Sequence, residues 1–350
     1  MENGFLQPAK NRFWVISQPK TPDPRIMGDQ AIPRILMSYP DRSNPYSFDA
    51  FLKWRHKVDY YADDPFLQAV LKTYTGDGWQ KMDRAAREFS PKVSYRWRDM
   101  ADGIARPEKR PYITHFDAHN HRIDRIERPM ETLIMETEVF SEGLFSAKTS
   151  PWEKLMKMFL IYQNGEACIV CPLTCTEGLT AILEDFADTP ELKCILRHCK
   201  EGIDGNFGIG AQYLSEIQGG SDVPANVLEA VREENTWRLY GTKFFCSATH
   251  ADYAVVTAKP AGSEKVALFV VPSWLPGNKE REIRNGFAID RIKWKMGTGE
   301  LTTAEIIYDG AVAYPVGPLE RGIANVVGIV LTYSRLSVGL SGAASMTRAA

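Results

Sequence analysis

Neither sign of charge dominates this chain. Its 42 lysines and arginines face 44 aspartates and glutamates across 350 residues, a formal net charge of −2. No whole-chain field therefore argues for a nucleic-acid or anionic-membrane partner. No secretory leader is legible, because Met1-Glu2-Asn3-Gly4-Phe5 lacks a basic stretch followed by an apolar one, and a cytoplasmic location is expected. Long uninterrupted apolar runs are also missing. The nearest approach, 323–340, is broken by Asn325 and carries Arg335, which suits a buried helix pair better than a membrane span.

Metal-ligand patterns are thin. Cys168, Cys171 and Cys175 lie close together, with Cys194, His198 and Cys199 further on, a spacing that admits a metal or iron-sulfur site. Ile169, Val170 and Leu173 surround the first group, and that setting favours reduced thiols buried as small hydrophobes. His115, Asp117, His119 and His121 invite a second metal reading, within a stretch that also holds Arg106, Lys109, Arg110, Arg122, Arg125 and Arg128. Asp117, Asp124, Glu127 and Glu131 intersperse those charges, so a solvated connection is expected rather than a metal site or a nucleic-acid patch. No metal is expected.

What the chain does hold is a change of period. Residues 1–44 are proline-rich and aperiodic and read as an extended arm. Helical spacing begins at Phe48, with Phe48, Phe51, Leu52, Val58 and Tyr61 on one side. It continues over 66–74, 79–89, 130–144, 151–164, 178–186 and 190–199, where Pro151 and Pro190 suit a helix's first turn. From residue 205 strand-like runs take over, at 227–231, 237–240, 253–258, 266–271, 287–293 and 304–313, separated by Gly, Pro, Asn and charged turns. Helical character returns at 322. The fold class is α+β: after the arm, an N-terminal all-helical domain (45–205), a middle antiparallel β-barrel or sandwich domain (206–320), and the start of a C-terminal helical bundle (321–350).

The chemistry concentrates in Ser215-Glu216-Ile217-Gln218-Gly219-Gly220-Ser221-Asp222, directly after the apolar-small run from Phe207 to Ala211. Two adjacent glycines let a ligand approach the backbone, and hydroxyls flank them. An ordinary surface turn has the same composition. Glu216 and Asp222 would repel a phosphate there and are expected to satisfy backbone amides within the turn.

The order of that motif, a hairpin, Gly241-Thr242-Lys243-Phe244-Phe245-Cys246-Ser247, and then Ala251-Asp252-Tyr253 resembles the acyl-CoA dehydrogenase superfamily of flavoproteins. The segments Arg291 to Thr298 and Thr303 to Ala311 follow in that family's order, and the form of the motif is most similar to the branch of the adaptive alkylation-response flavoprotein. The resemblance implies FAD as cofactor, an acyl-CoA substrate, α,β-dehydrogenation, and a homo-oligomer in a full-length form. It assigns flavin contacts to Leu214 and Ser215, a phosphate or acyl-thioester contact to Gly220 and Ser221, and the second side of the site to Phe245 and Ser247, where many members carry Trp and Thr. Phe244 is expected in the core. Arg335 matches an arginine that points toward the family's active site, although a structural ion pair would serve it equally.

Departures from the pattern are Tyr213 in place of a small residue, which would crowd the ring or line a different pocket, and Gly299 where many members carry Arg. The family's usual glutamate base falls beyond residue 350. The resemblance therefore implies a C-terminally truncated member that binds FAD weakly and turns over poorly. Nucleic-acid association, as in the alkylation-response branch, and a non-catalytic remnant are the competing expectations.

Overall fold

The structure, a computed structural model, describes residues 47–350, so the expected arm at 1–44 lies outside the described residues. The chain divides between Lys53 and Trp54. Helix α1 (Asp49–Arg55) buries no residue, and Phe48, Phe51 and Leu52, expected on an apolar face, are exposed.

In the larger unit the helices start where the caps direct. Asp64 accepts from the Leu67 amide at 2.8 Å and opens α2 (Pro65–Thr75). It is followed by α3 (Trp79–Pro91), a π-helical turn (Lys92–Trp97) and α4 (Arg98–Ile104). After a two-stranded segment come α5 (Met130–Phe140), α6 (Pro151–Tyr162), α7 (Val170–Phe186) and α8 (Pro190–Glu201). Ser150 and Thr189 cap α6 and α8 with Pro151 and Pro190 in the first turn, as expected.

That two-stranded segment is an addition to the expected all-helical N-terminal domain. Strands β1 (Tyr112–Phe116) and β2 (Arg122–Glu127) pair antiparallel. The histidine-rich stretch is their turn, where Asp117 Oδ1 accepts from the amides of His119 and His121 at 2.8 Å each. Its arginines are engaged with carboxylates: Arg122 with Asp124, Arg125 with Glu282, Arg128 with Glu136. Asp124 is buried and takes His115 Nδ1 at 2.7 Å, Arg122 Nε at 2.9 Å and the Ile289 amide at 2.8 Å. Replacing Asp124 with alanine strands that amide and should cost about 1–3 kcal/mol in urea denaturation; an unchanged midpoint would show that solvent replaces the carboxylate.

Seven strands follow: β3 (Gly210–Tyr213), β4 (Glu229–Glu233), β5 (Thr236–Ser247), β6 (Tyr253–Pro260), β7 (Ala267–Pro272), β8 (Phe287–Ile292) and β9 (Thr303–Pro315). The ring β6–β7–β9–β5–β4–β6 closes, with β3 parallel to β6 and β8 on β9, so the expected barrel is present. Alternation sorts the side chains. Ala254, Val256 and Ala258 of β6 and Ala267, Phe269 and Val271 of β7 share one core with Tyr213, Leu239, Cys246 and Tyr308. The residues between them, Val255, Leu268 and Val270, pack with Leu179, Ile182 and Leu183 of α7 and with Leu192 of α8. Both faces of β6 and β7 are thus covered, which is why they read as nearly unbroken apolar runs.

The chain ends in α9 (Gly322–Asn325), a π-helical turn (Val326–Val330) and α10 (Leu331–Ala349). The buried helix pair expected at 323–340 is instead one continuous run whose outer face is exposed, including Leu336 and Val338. By length and composition alone, the helix Leu319–Ala349 is apolar enough to cross a membrane.

Candidate functional site

The glycine-serine loop leaves β3 and is fastened from beneath by one lysine. Lys243 of β5 is wholly buried, and its Nζ donates to Glu216 Oε1 at 2.8 Å, Leu214 O at 3.2 Å and Thr257 Oγ1 at 3.1 Å. Glu216 also accepts from the amides of Val227 (2.7 Å) and Leu228 (3.1 Å) and from Gln218 Nε2. Asn226 Nδ2 completes the knot by donating to Leu214 O and Thr257 Oγ1. Both ends of the loop are therefore tied to the same buried ion pair. Burial pushes the Lys243 ammonium down to about 8 against the pull of Glu216. Burial would also raise the Glu216 carboxyl, but Lys243 and the Val227 amide overcome it and hold that carboxyl below its ordinary value.

Glu216 serves backbone amides, as expected, at the far end of the loop. Asp222 differs: it precedes the short turn Val223–Ala225 without a side-chain cap and is exposed. Tyr213 neither crowds the loop nor lines a pocket beside it. Its ring is buried in the barrel core, with the hydroxyl donating to Ala248 O at 3.4 Å.

Strand β5 supplies the second side through a bulge. Lys243 stands opposite Ile306 and Cys246 opposite Ala304, so three steps on β5 match two on β9. The extra residue lets Lys243 and Cys246 both face the core and turns Phe245 outward, 45 % exposed. Phe244, expected in the core, is only partly buried and carries Lys293 Nζ 3.4 Å above its ring. The Phe244 amide donates to Ser215 O at 3.0 Å, which sets the two motif segments edge to edge. A Cβ at Gly220 would come 2.8 Å from Ser215 Oγ, so that hydroxyl needs a glycine beside it.

Of the residues singled out in the sequence, Leu214, Ser215 and Ser247 are partly buried, and Gly220, Ser221 and Phe245 are exposed. The Leu214 carbonyl is taken by Asn226 and Lys243. Ser247 Oγ lies 3.1 Å from Thr303 Oγ1. Arg335 is exposed, donates only to Val327 O at 3.5 Å, and makes no ion pair among the described residues. The structure thus shows neither the ion pair nor a contact of Arg335 with the loop. Contact with β3 comes from its neighbour Ser334, which donates to Gln212 Oε1 at 3.2 Å.

Three features escaped the sequence reading. Lys243 was visible only as the lysine of a motif, although a basic residue between strand hydrophobes is itself a sign of a buried pair. Lys295 and Thr303 join Ser247 through hydroxyls that no spacing rule marks. Arg110 lies over the Trp294 ring at 4.2 Å and against Gly299, where a Cβ would come 2.6 Å from its Nε. A guanidinium from the N-terminal segment therefore fills the space beside the position where the family pattern carries arginine. Separately, a cleft of about 1050 Å³ near His198, His250, Tyr253 and Trp274 is lined by none of the residues 214–228 or 244–247. Cys171 and Cys175 lie 3.9 Å apart at their sulfurs, and among the described residues no three His, Cys, Asp or Glu side chains converge as a metal site.

A helical layer packed on a closed, mostly antiparallel barrel, in which β4 and β3 both run parallel to β6, with a glycine-serine loop and a bulged strand meeting at one edge, is the α+β architecture the sequence led us to expect. Residues 211–311 match the family described as "Acyl-CoA dehydrogenase, middle domain". "Acyl-CoA dehydrogenase family member 11" of Caenorhabditis elegans is 27 % identical over 294 residues, covering 76 % of this chain and 46 % of that protein. "Putative acyl-CoA dehydrogenase AidB" of Escherichia coli K12 is 27 % identical over 235 residues, 61 % of this chain and 41 % of that protein. The crystal structure of C. elegans ACDH-11 in complex with C11-CoA superposes with a TM-score of 0.75 at 24 % identity, over 82 % of this chain and 51 % of that one. The chain is thus similar to acyl-CoA dehydrogenases, in sequence through this middle domain and in fold through solved structures that include one in complex with FADH2 and one complexed with FAD, and it spans less than half the length of those two curated relatives.

Proposed function

We propose that this chain binds FAD at the edge where the 214–228 loop meets the bulge of β5, and that it serves an acyl-CoA dehydrogenase-type oxidation of an acyl thioester. The hydrogen bond from the Phe244 amide to Ser215 O carries this reading, because it brings both expected ring-binding segments to one place. The residues fit such a group. Gly220 leaves room beside Ser215, the Ser215 and Ser221 side chains have no hydrogen-bond partner among the described residues, and Phe245 offers an exposed aromatic wall. When bound, FAD supplies the two-electron redox chemistry. The chain's own part is orientation: Ser215 and Ser247 offer hydroxyls from two sides, while the Lys243–Glu216 pair keeps the loop from collapsing into the gap. The C11-CoA held by the C. elegans protein supports an acyl-CoA as the second ligand. The engagement of Arg122, Arg125 and Arg128 with carboxylates argues against a nucleic-acid surface there.

Fluorescence titration with FAD tests the reading. Saturable quenching is expected for the protein, and Gly220→Val, which drives a branched side chain into Ser215, should weaken it at least tenfold while leaving the denaturation midpoint in place. No saturable binding by the unaltered protein would overturn the proposal. Anaerobic bleaching of the bound chromophore across acyl-CoAs of graded length would then identify the substrate.

A further inference from the structure

The hydroxyl of Ser247 stands at the outer end of a chain that begins with a charge. Thr303 is wholly buried. Its Oγ1 lies 2.9 Å from Lys295 Nζ and 3.1 Å from Ser247 Oγ, and Lys295 Nζ also reaches Thr298 Oγ1 at 3.2 Å. An ammonium only donates, so Thr303 Oγ1 accepts from Lys295 and must place its own proton elsewhere. A buried hydroxyl keeps a partner, and Ser247 Oγ is the acceptor within reach. Ser247 therefore accepts from Thr303, and its own proton is left to point outward to the edge beside Phe245. If Ser247 donated inward instead, the Thr303 proton would be stranded in the core.

Lys295 is suited to set that direction. Lys293, two residues earlier, pairs with Glu305 at 2.7 Å; Lys295 meets hydroxyls and no carboxylate within 4 Å among the described residues. Glu166, Glu300, Cys168 and Cys171 surround it at longer range, and burial lowers its pKa. We propose that Lys295 is a positioning residue of the flavin site, acting through Thr303 to hold Ser247 as a hydrogen-bond donor toward an acceptor atom on the bound ring. This rests on the flavin reading of Ser247 given above.

Two variants break the relay independently. Lys295→Met removes the charge and the donor, and Thr303→Val removes the middle hydroxyl at nearly constant shape. Each should weaken FAD about tenfold, the loss of one oriented hydrogen bond, and should shift the absorption bands of the bound chromophore. Thr303→Ser should restore both. Lys295→Met should also lower the reduction potential of bound FAD, measured against reference dyes, by more than Thr303→Val does, because it alone removes a positive charge. Denaturation curves establish which variants are folded, and either folded variant is enough to decide.

Failure of the unaltered protein to bind FAD would remove the flavin reading and this inference together. Normal binding by the unaltered protein, with affinity, bands and potential all unchanged in the variants, would overturn only the inference. Weaker binding with unchanged bands and potential would reduce Lys295 to a structural contact and overturn it too.

Discussion

Replacing Lys243 with methionine is expected to lower stability by about 3–5 kcal/mol in urea denaturation, the penalty for leaving one member of a buried ion pair without its partner. The geometry makes compensation difficult. Lys243 and Glu216 have side chains only 0 % and 2 % exposed, so water cannot replace the ammonium without opening the barrel wall. The loss should spread along the loop, because Leu214 O, Thr257 Oγ1 and Glu216 all converge on the same nitrogen. Weaker FAD binding should follow, since the loop that carries Ser215 and Gly220 would no longer be fastened at both ends. Adding Glu216→Gln to Lys243→Met should recover more than half of the stability, because the second change removes the stranded charge while keeping an acceptor for the Val227 amide. The coupling between the two positions is then a double-mutant-cycle energy. A loss under about 1 kcal/mol for Lys243→Met would show that Glu216 simply takes up a proton, and that the pair does not organise the loop.

This buried pair also marks where sequence reasoning stops. The barrel was legible because its strands obey a period of two between Gly, Pro and Asn turns, and because β6 and β7, covered on both faces, announce themselves as apolar runs. The meeting of the 215 and 245 segments was legible only through resemblance, since nothing local indicates that the Phe244 amide will find Ser215 O. The bulge that turns Phe245 outward is invisible to alternation, which would place Phe244 and Phe245 on opposite faces of a regular strand; a register against β9 is needed to see it. Helix α7 was expected only from 178 but begins at Val170; five of the eight residues before Gly178 are cysteine, proline or threonine, with poor helix propensity, and they hid its start. Tertiary burial of Leu173, Cys175 and Thr176 supplies what propensity lacks. The β1–β2 hairpin was missed for a related reason: its turn is built by the Asp117 carboxylate accepting two amides, and in sequence it looks like a charged connection.

Glu166 should give the protein a stability that falls as the pH rises toward 8. It lies in the turn just before α7, where Gly165, Ala167 and Cys168 all have positive φ, the last two without a glycine's freedom. Burial, helped by the nearby charge of Glu300, pushes its carboxyl from 4.5 up to about 8 against the Cys171 amide and Lys295, which pull it down. In the folded protein the acid therefore keeps its proton over a range in which the unfolded chain has already lost it. The sign follows directly: the folded state binds more protons between pH 4.5 and about 8, so its advantage is full below that window, shrinks across it, and is gone above it. The slope should approach but not reach about 1.4 kcal/mol per pH unit, because Glu166 retains some contact with solvent. Glu166→Gln, neutral at every pH, should flatten the profile across the window and stabilise the protein above it. Urea denaturation of both proteins from about pH 5 to pH 9 measures the difference. Parallel profiles would mean that Glu166 ionises at its ordinary value in the folded chain. In that case the strained turn would owe nothing to a protonated acid, and its positive φ angles would have to be held by the packing of Cys168 and Ile169, both fully buried at the start of α7.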